Sequence, residues 1–531
     1  MSTSLRGVNS GAHTRLLARP DIVLRKGRFA LLNQTLSPRD ATVADLVAIH
    51  DALDVAGIQH LLVRRDDDRV VIAVDREKAV EIAAALSAAF ATEPFYARVG
   101  SEPAILVAEG GLADLENPRI AKLYRPRTTG QGGERYGAAT GVRLEFWEFA
   151  PDAIHAPAEN ALMRHSLPRP EAIDATVELH GRTWSTLGGM FDMLASDVTF
   201  DIDIVFSWVD GTSSEFQRAR AQRMESYIVG DGDDSDARFR QIDELKYALR
   251  SVNLYAPWIR RIFIATDSPA PAWLAEHPRV TIVRSEEFFA DLDALPTHNS
   301  HAVESQLHRI EGLSEHFLYS NDDMFFGRPV RPDMFFSPGG ITKFIEASTR
   351  IGLGEPNAER SGFENAARVN RALLQRRFGR VTTRHLEHAA TPLRRSVMAE
   401  LEREFPEDFA RTAASAFRSS SDISVTNSLY HYYALMTGRA VMQTDASVRY
   451  VETTLANAAG EMDDILKRRG YDFFCLNDGS KPEISLAKRT RNIRVFLERY
   501  FSIAAVWEQA GAITPSRGPA LSSAVQDLPA G

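Results

Sequence analysis

Hydrophobic and polar positions follow two different rhythms along this chain. In the N-terminal part, Val43, Leu46, Val47 and Leu53 recur at helical spacing within residues 41–57, and Gly57 supplies a stop. The run LLVRRDDDRVVIAV (61–74) sets two β-rich stretches around a charged centre. It predicts a hairpin with a solvated turn, although three consecutive aspartates also suggest a metal site. A second helix is expected over 76–90 and a strand over 141–149. Together these predict an α+β module ending near residue 198, with its first twenty residues loosely held. Nothing in it carries a catalytic signature.

From Val198 onward, strands alternate with helices. DIVFSWVD, IRRIFIATD, PRVTIVRS and HFLYSNDD read as strands. QIDELKYALRSVNLYAP reads as a helix with Leu245, Leu249 and Val252 on one face, and another helix is expected over 301–310. The predicted class is α/β: a mostly parallel, Rossmann-like sheet with helices on both faces. A helical insertion is expected over 368–438, with PLRRSVMAELEREF (392–405) as one amphipathic helix and Gly438 ending another. The expected organisation is an accessory module over 1–198, a catalytic domain over 199–514 and a disordered tail over 515–531, rich in Pro, Ser, Gly and Ala.

Composition narrows the function. At 531 residues the chain exceeds one ordinary core, and 44% apolar with 25% charged residues is a soluble globular mix. A net charge of −9 argues against non-specific nucleic-acid binding. No run of about 20 apolar residues could span a bilayer, and the N-terminus lacks a secretory-signal core. A cytoplasmic protein is expected, with any membrane association peripheral, at the inner face. The single cysteine, Cys475, cannot form an internal disulfide, and in YDFFCLND it reads as a buried, inert thiol.

The candidate chemistry starts at FLYSNDDMFFG (317–327), where Asp322 and Asp323 lie side by side between apolar runs. Adjacent carboxylates repel and resist burial, so a core strand delivering both calls for a reason. In open α/β sheets, ligands bind beyond the carboxyl ends of the strands, where Asp210 and Asp267 also fall. Paired carboxylates there suit a divalent cation escorting a diphosphate; alternatively one caps a turn and the other is solvated. In SHAVESQLHRIEGL, His301, Glu304 and His308 share a helical stripe that fits metal ligation or a surface ion pair. GDGDDSDARF (230–239) fails the calcium-loop pattern, with Asp236 at the sixth position and Ile242 at the twelfth. His385 and His388, Arg418 and Asp422, and Asn477 and Asp478 each admit a structural role. Arg418 also suits a phosphate clamp, through its planar donor fork.

Four blocks in order resemble the Stealth family of sugar-1-phosphate transferases, which includes bacterial capsule and exopolysaccharide phosphotransferases and the catalytic subunit of the lysosomal-enzyme N-acetylglucosamine-1-phosphotransferase. They are DIVFSWVDG; the long stretch from RFRQIDELKYALRSVNLYAPWIRRIFIATD through HAVESQLHRIEGLSEHFLYSNDDMFFG; HAATPLRRSVMAELEREFPEDFARTAASAFRSSSDIS; and FFCLNDG. The resemblance covers about residues 201–480 and excludes the N-terminal module. It implies that Glu304 and Asp323 are active-site carboxylates, His388 the active-site histidine and Arg418 a substrate-binding arginine. It implies that Asp210, Trp208, Arg250 and Asp478 bind the nucleotide sugar, and that Asp322 with Asp323 holds Mg²⁺ or Mn²⁺. His301 stands where many members have Pro, and HAATP departs from their HMP. The implied reaction moves a sugar-1-phosphate, commonly N-acetylhexosamine-1-phosphate from a UDP-sugar, to a hydroxyl of a polysaccharide or glycolipid. Either His388 or Asp323 serves as the base. Rival readings are a glycosyltransferase releasing nucleoside diphosphate, a non-catalytic assembly scaffold and a metal-dependent donor hydrolase; a homo-oligomer is compatible with all.

Overall fold

The computed structural model describes residues 11–65, 70–112, 119–129, 135–211, 242–479 and 481–509. The acidic stretch at 230–239, the aspartates at 66–68 and the tail at 515–531 lie outside the described residues.

Strands β1 (Ile202–Ser207), β2 (Ile262–Ala265), β3 (Val280–Val283) and β4 (His316–Asn321) form a parallel sheet. Helix α1 (Glu244–Tyr255) lies between β1 and β2, and α2 (Ser300–Gln306) precedes β4. β1, β2 and β4 are buried almost end to end, as strands covered on both faces must be. Ile204, Phe206 and Leu318 pack on one side with Leu245, Leu249 and Val252 of α1. Val205, Phe263, Phe317 and Tyr319 enter a second core on the other side, with Ala302 of α2. Alternation along β4 thus sends Leu318 one way and Tyr319 the other.

A short β5 (Met324–Phe326) follows β4 directly, and β6 (Thr391–Arg394) closes the sheet in the order β3-β2-β1-β4-β6, antiparallel to β4. The order reverses between β1 and β4, the point where such sheets open a crevice. β6 corrects the predicted helix over 392–405, which begins only at Arg395. Pro392 pairs with Leu318 instead, and a residue without an N–H is tolerated there because β6 is an edge strand. The insertion is otherwise helical, through α3 (Gly362–Phe378), α4 (Arg395–Glu404), α5 (Pro406–Ala414) and α6 (Tyr430–Met436). Gly438 follows α6 with φ +76°, a conformation that suits glycine. Later, β7 (Val448–Glu452) and β8 (Phe473–Asn477) join β5 in a separate sheet, and α7 (Leu486–Tyr500) follows.

In the N-terminal part, the first predicted helix runs Pro38–Val55. It starts ahead of the apolar pattern because Ser37 caps it, accepting from the Asp40 amide at 3.1 Å, and Pro38 opens its first turn. The predicted hairpin pairs His60–Arg64 with Val70–Asp75. The expected looseness of the first twenty residues does not extend to Gly11–Leu17, a helix whose Leu16 is fully buried. Ala41 and Tyr136 pack into the same core as α1, so the two parts touch through apolar side chains. Among the described residues no helix is long and apolar enough to cross a membrane.

Candidate active site

β1 and β4 run side by side, and Ser207 lies opposite Asn321 at their ends. The chain then turns through Asp322 and Asp323 into β5. Met324 pairs with Cys475 of β8, which brings the end of β8 against this turn. Asp323 Oδ2 lies 3.5 Å from Cys475 Sγ and 3.4 Å from Asn477 Nδ2, and the Asp323 carbonyl accepts from the Leu476 amide at 3.0 Å. Asp478 accepts from the Thr453 hydroxyl and faces Arg489 at 3.7 Å. Burial, then the charge of Asp323, pushes the Cys475 thiol well above its usual range, with Asp322 and Asp478 adding to the effect. Cys475 is therefore the inert thiol expected, and its neighbours form a concentrated patch of carboxylates.

His388 reaches the same place from the loop before β6. Its ring centroid lies 5.0 Å from that of Tyr450 on β7 and 6.3 Å from that of Phe363. Tyr450 pairs with Cys475 across β7 and β8. Burial, then Cys475, Glu452, Asp323 and Asp478, raises the Tyr450 hydroxyl. One aromatic side chain thus joins His388 to the carboxylate patch. Burial, then the charge of His385, lowers His388 to about 4, so its imidazole is neutral at pH 7. His385 itself stacks on Phe363 at 4.5 Å.

A second group of polar residues approaches from the α2 side. Glu304 is 2% exposed, and its carboxylate accepts from the Thr426 hydroxyl at 2.7 Å. The Tyr319 hydroxyl lies 3.4 Å from Glu304 Oε1 and 3.0 Å from Asn321 Oδ1, two residues before Asp323. Arg418 donates to Ser300 Oγ at 2.7 Å, one helical turn before Glu304. Burial, then Glu304, raises Tyr319 well above its usual range, while Arg418 and Ser207 oppose this. Both charges therefore bear on one phenol. Asp422, fully buried, accepts from the Asn299 side chain at 2.8 Å and the Ser419 amide at 2.9 Å, tying the Arg418 loop to the start of α2. Thr426 lies in a π-helical turn, Val425–Leu429, of a kind frequent at functional sites.

Other predicted residues fall differently. Trp208 is buried just beyond β1, and the Asp210 amide donates to Ser268 Oγ at 2.8 Å. Asp267 accepts from the Ser285 amide at 2.8 Å and hydroxyl at 2.7 Å, a capping role. The expected stripe of His301, Glu304 and His308 disperses. α2 ends at Gln306, the next three residues tighten into a 3₁₀ turn, and His308 turns to Glu402 at 2.9 Å. His301 lies 3.8 Å from Asp422. Among the described residues, the cluster of three or more metal-ligating side chains is His50, Asp54 and His60, not the strand-end aspartates.

Arg250 is engaged by the C-terminal segment. Its guanidinium grips Glu508 in two bonds of 2.6 and 2.7 Å and donates to the Phe501 carbonyl at 2.7 Å. This is a structural clamp between α1 and the C-terminal segment. Arg250→Ala should lower stability by about 3 kcal/mol, because Glu508 is left buried without this partner. A melting curve measures this, and donor KM should stay unchanged in the folded fraction. Sequence reading missed Tyr319, Tyr450, Thr426 and Ser300. Neither tyrosine is marked by its neighbours: Tyr319 sits in the apolar run of β4 and Tyr450 in the mixed VRYVE of β7.

Comparison with known proteins identifies the family. Family models for Stealth conserved regions 1, 2, 3 and 4 match residues 200–228, 238–344, 387–435 and 463–514. Regions 2, 3 and 4 contribute Glu304 and Asp323, His388 and Arg418, and Asp478, respectively. The chain is 59% identical over 507 residues to the exopolysaccharide phosphotransferase CpsY of Mycobacterium tuberculosis H37Rv, covering 95% of each protein. It is 54% identical over 484 residues to an exopolysaccharide phosphotransferase of Nocardia farcinica, covering 91% and 90%. A solved galactosyltransferase, LgtC, overlaps 57% of this chain and 97% of its own at 13% identity, with a TM-score of 0.30, too low to support an argument. The chain belongs to the Stealth family of exopolysaccharide phosphotransferases.

Proposed function

We propose that the protein transfers a sugar-1-phosphate from a nucleotide-diphosphate sugar to a glycan hydroxyl. The hydroxyl oxygen attacks the phosphorus attached to the sugar. The bond to the bridging oxygen of the pyrophosphate breaks, nucleoside monophosphate leaves and a phosphodiester forms. The attacking proton passes to His388 or Asp323. The observation that carries this reading is the meeting of Asp323, Asp478 and His388 around Tyr450, at a strand end tied through Asn321 and Tyr319 to Glu304.

Burial keeps His388 neutral, so a lone pair is free to accept the attacking proton, although the same burial makes the ring a weaker base than one in water. Arg418 serves as the phosphate clamp, a role supported by its hold on Ser300 at the start of α2. Glu304 positions Tyr319 and Thr426 and balances the charge of Arg418. Asp322 and Asp323 offer hard oxygen donors, a set that fits Mg²⁺ or Mn²⁺ completed by phosphate and water. Such an ion, when bound, would neutralise pyrophosphate charge. Trp208, Asp210 and Asp478 are assigned to the nucleotide sugar. UDP-N-acetylhexosamine is the favoured donor, a polysaccharide or glycolipid the acceptor, and any membrane association is peripheral.

Incubation with a panel of nucleotide sugars and a glycan acceptor, read by mass spectrometry, tests this. The expected products are nucleoside monophosphate and a phosphodiester-linked glycan. Nucleoside diphosphate would mean glycosyl transfer, acceptor-independent sugar-1-phosphate would mean hydrolysis, and no turnover with any donor would leave a scaffold.

A further inference from the structure

We propose that His50, Asp54 and His60 in the N-terminal module form a binding site for a zinc-class divalent ion, separate from the transfer centre. His50 and Asp54 are four residues apart on the helix Pro38–Val55, so they share a face. His60 opens the strand after the turn at Gly57. One ligand atom from each of the three lies within 4.8 Å of the others.

Proton accounting identifies the atoms. His60 Nδ1 lies 2.9 Å from the Ile58 carbonyl, which can only accept, so Nδ1 carries the hydrogen. The lone pair of His60 is therefore on Nε2, and the carbonyl holds the ring as outer partners hold metal-bound imidazoles. His50 Nδ1 lies 2.7 Å from that Nε2, and His50 Nε2 lies 3.3 Å from Asp54 Oδ2. With its single hydrogen on Nε2, His50 donates to Asp54, and two lone pairs, His50 Nδ1 and His60 Nε2, then face each other at 2.7 Å. A metal ion between those two nitrogens resolves that conflict, with the Asp54 carboxylate close by. Two imidazoles and one carboxylate select zinc-class metals over Mg²⁺. His50 is buried and packed on Trp184 at 4.1 Å, while the Asp54 side chain is 61% exposed, so the cluster is walled on one side and open to solvent on the other.

The bound ion would clip the helix to the strand at the Gly57 corner. With metal–nitrogen bonds of about 2.0–2.1 Å, two tetrahedrally arranged nitrogens stand farther apart than the present pair. Binding should therefore move the His50 ring and register in Trp184 emission.

The test uses full-length protein freed of metal by chelation and titrated with Zn²⁺ and Co²⁺. The expected result is one equivalent bound at micromolar concentration or below, a visible Co²⁺ absorption band and a change in tryptophan fluorescence. H60Q should abolish all three. D54N, altered at an exposed position, should weaken zinc affinity at least tenfold without changing the melting temperature of the metal-free protein or its Mg²⁺- or Mn²⁺-supported transfer rate. Absence of zinc binding in the wild type, or wild-type affinity in D54N, would overturn the proposal.

Discussion

His388→Ala is expected to lower turnover by about 10²–10⁴-fold, the range for removing a positioned general base. The circular dichroism spectrum should stay that of the wild type, because His388 lies in a loop outside every helix and strand, with its ring beside Tyr450 and Phe363. The pH profile adds a second reading. Burial lowers the His388 pKa to about 4, so the free base is present at every pH well above 4 and is lost only as pH falls through that value. The kcat/KM profile should therefore show no limb from this residue between pH 5 and 8. Near-normal turnover in the variant would remove His388 from the chemistry. A limb near 6.5 that disappears in the variant would instead mean that the imidazole titrates as in water.

Asp323→Asn should cost about 10²-fold or more in kcat/KM while keeping the strand-end turn, because the amide is nearly isosteric and the backbone bond to Leu476 survives. The variant also discriminates between the two roles open to Asp323. If its charge holds a divalent ion, raising Mn²⁺ should recover part of the rate. If it is the base, added ion should change nothing. Donor turnover within a few-fold of wild type would exclude both.

The same residues show how far sequence carries. Parallel strands were legible because β1, β2 and β4 are apolar on both faces, a pattern few other elements produce. Asp322 and Asp323 stood out because charge at the end of such a strand is costly without a purpose. Pro392 misled: Val397 and Leu401 do recur at helical spacing, but pairing with β4 claims the residues just before them. Arg250 looked like one charge on an amphipathic helix, whereas its partner lies 258 residues away. Tyr319, Tyr450 and Thr426 carry no local mark, since their meaning comes from what the fold sets beside them. Glu304 and His308 have the spacing of a helical pair, and a change of helix type separates them. His50 and His60 were invisible for a related reason: a ligand pair on one helix needs a third residue from beyond a turn before it means anything.

A nucleotide-diphosphate sugar carrying ³²P only on the phosphorus next to the sugar tests the central claim most directly. Attack at that phosphorus predicts that the label moves into the acceptor glycan, one atom for each nucleoside monophosphate released. Label left in nucleoside diphosphate, with unlabelled sugar on the acceptor, would contradict the account, because the bond broken would then be the one between sugar and oxygen.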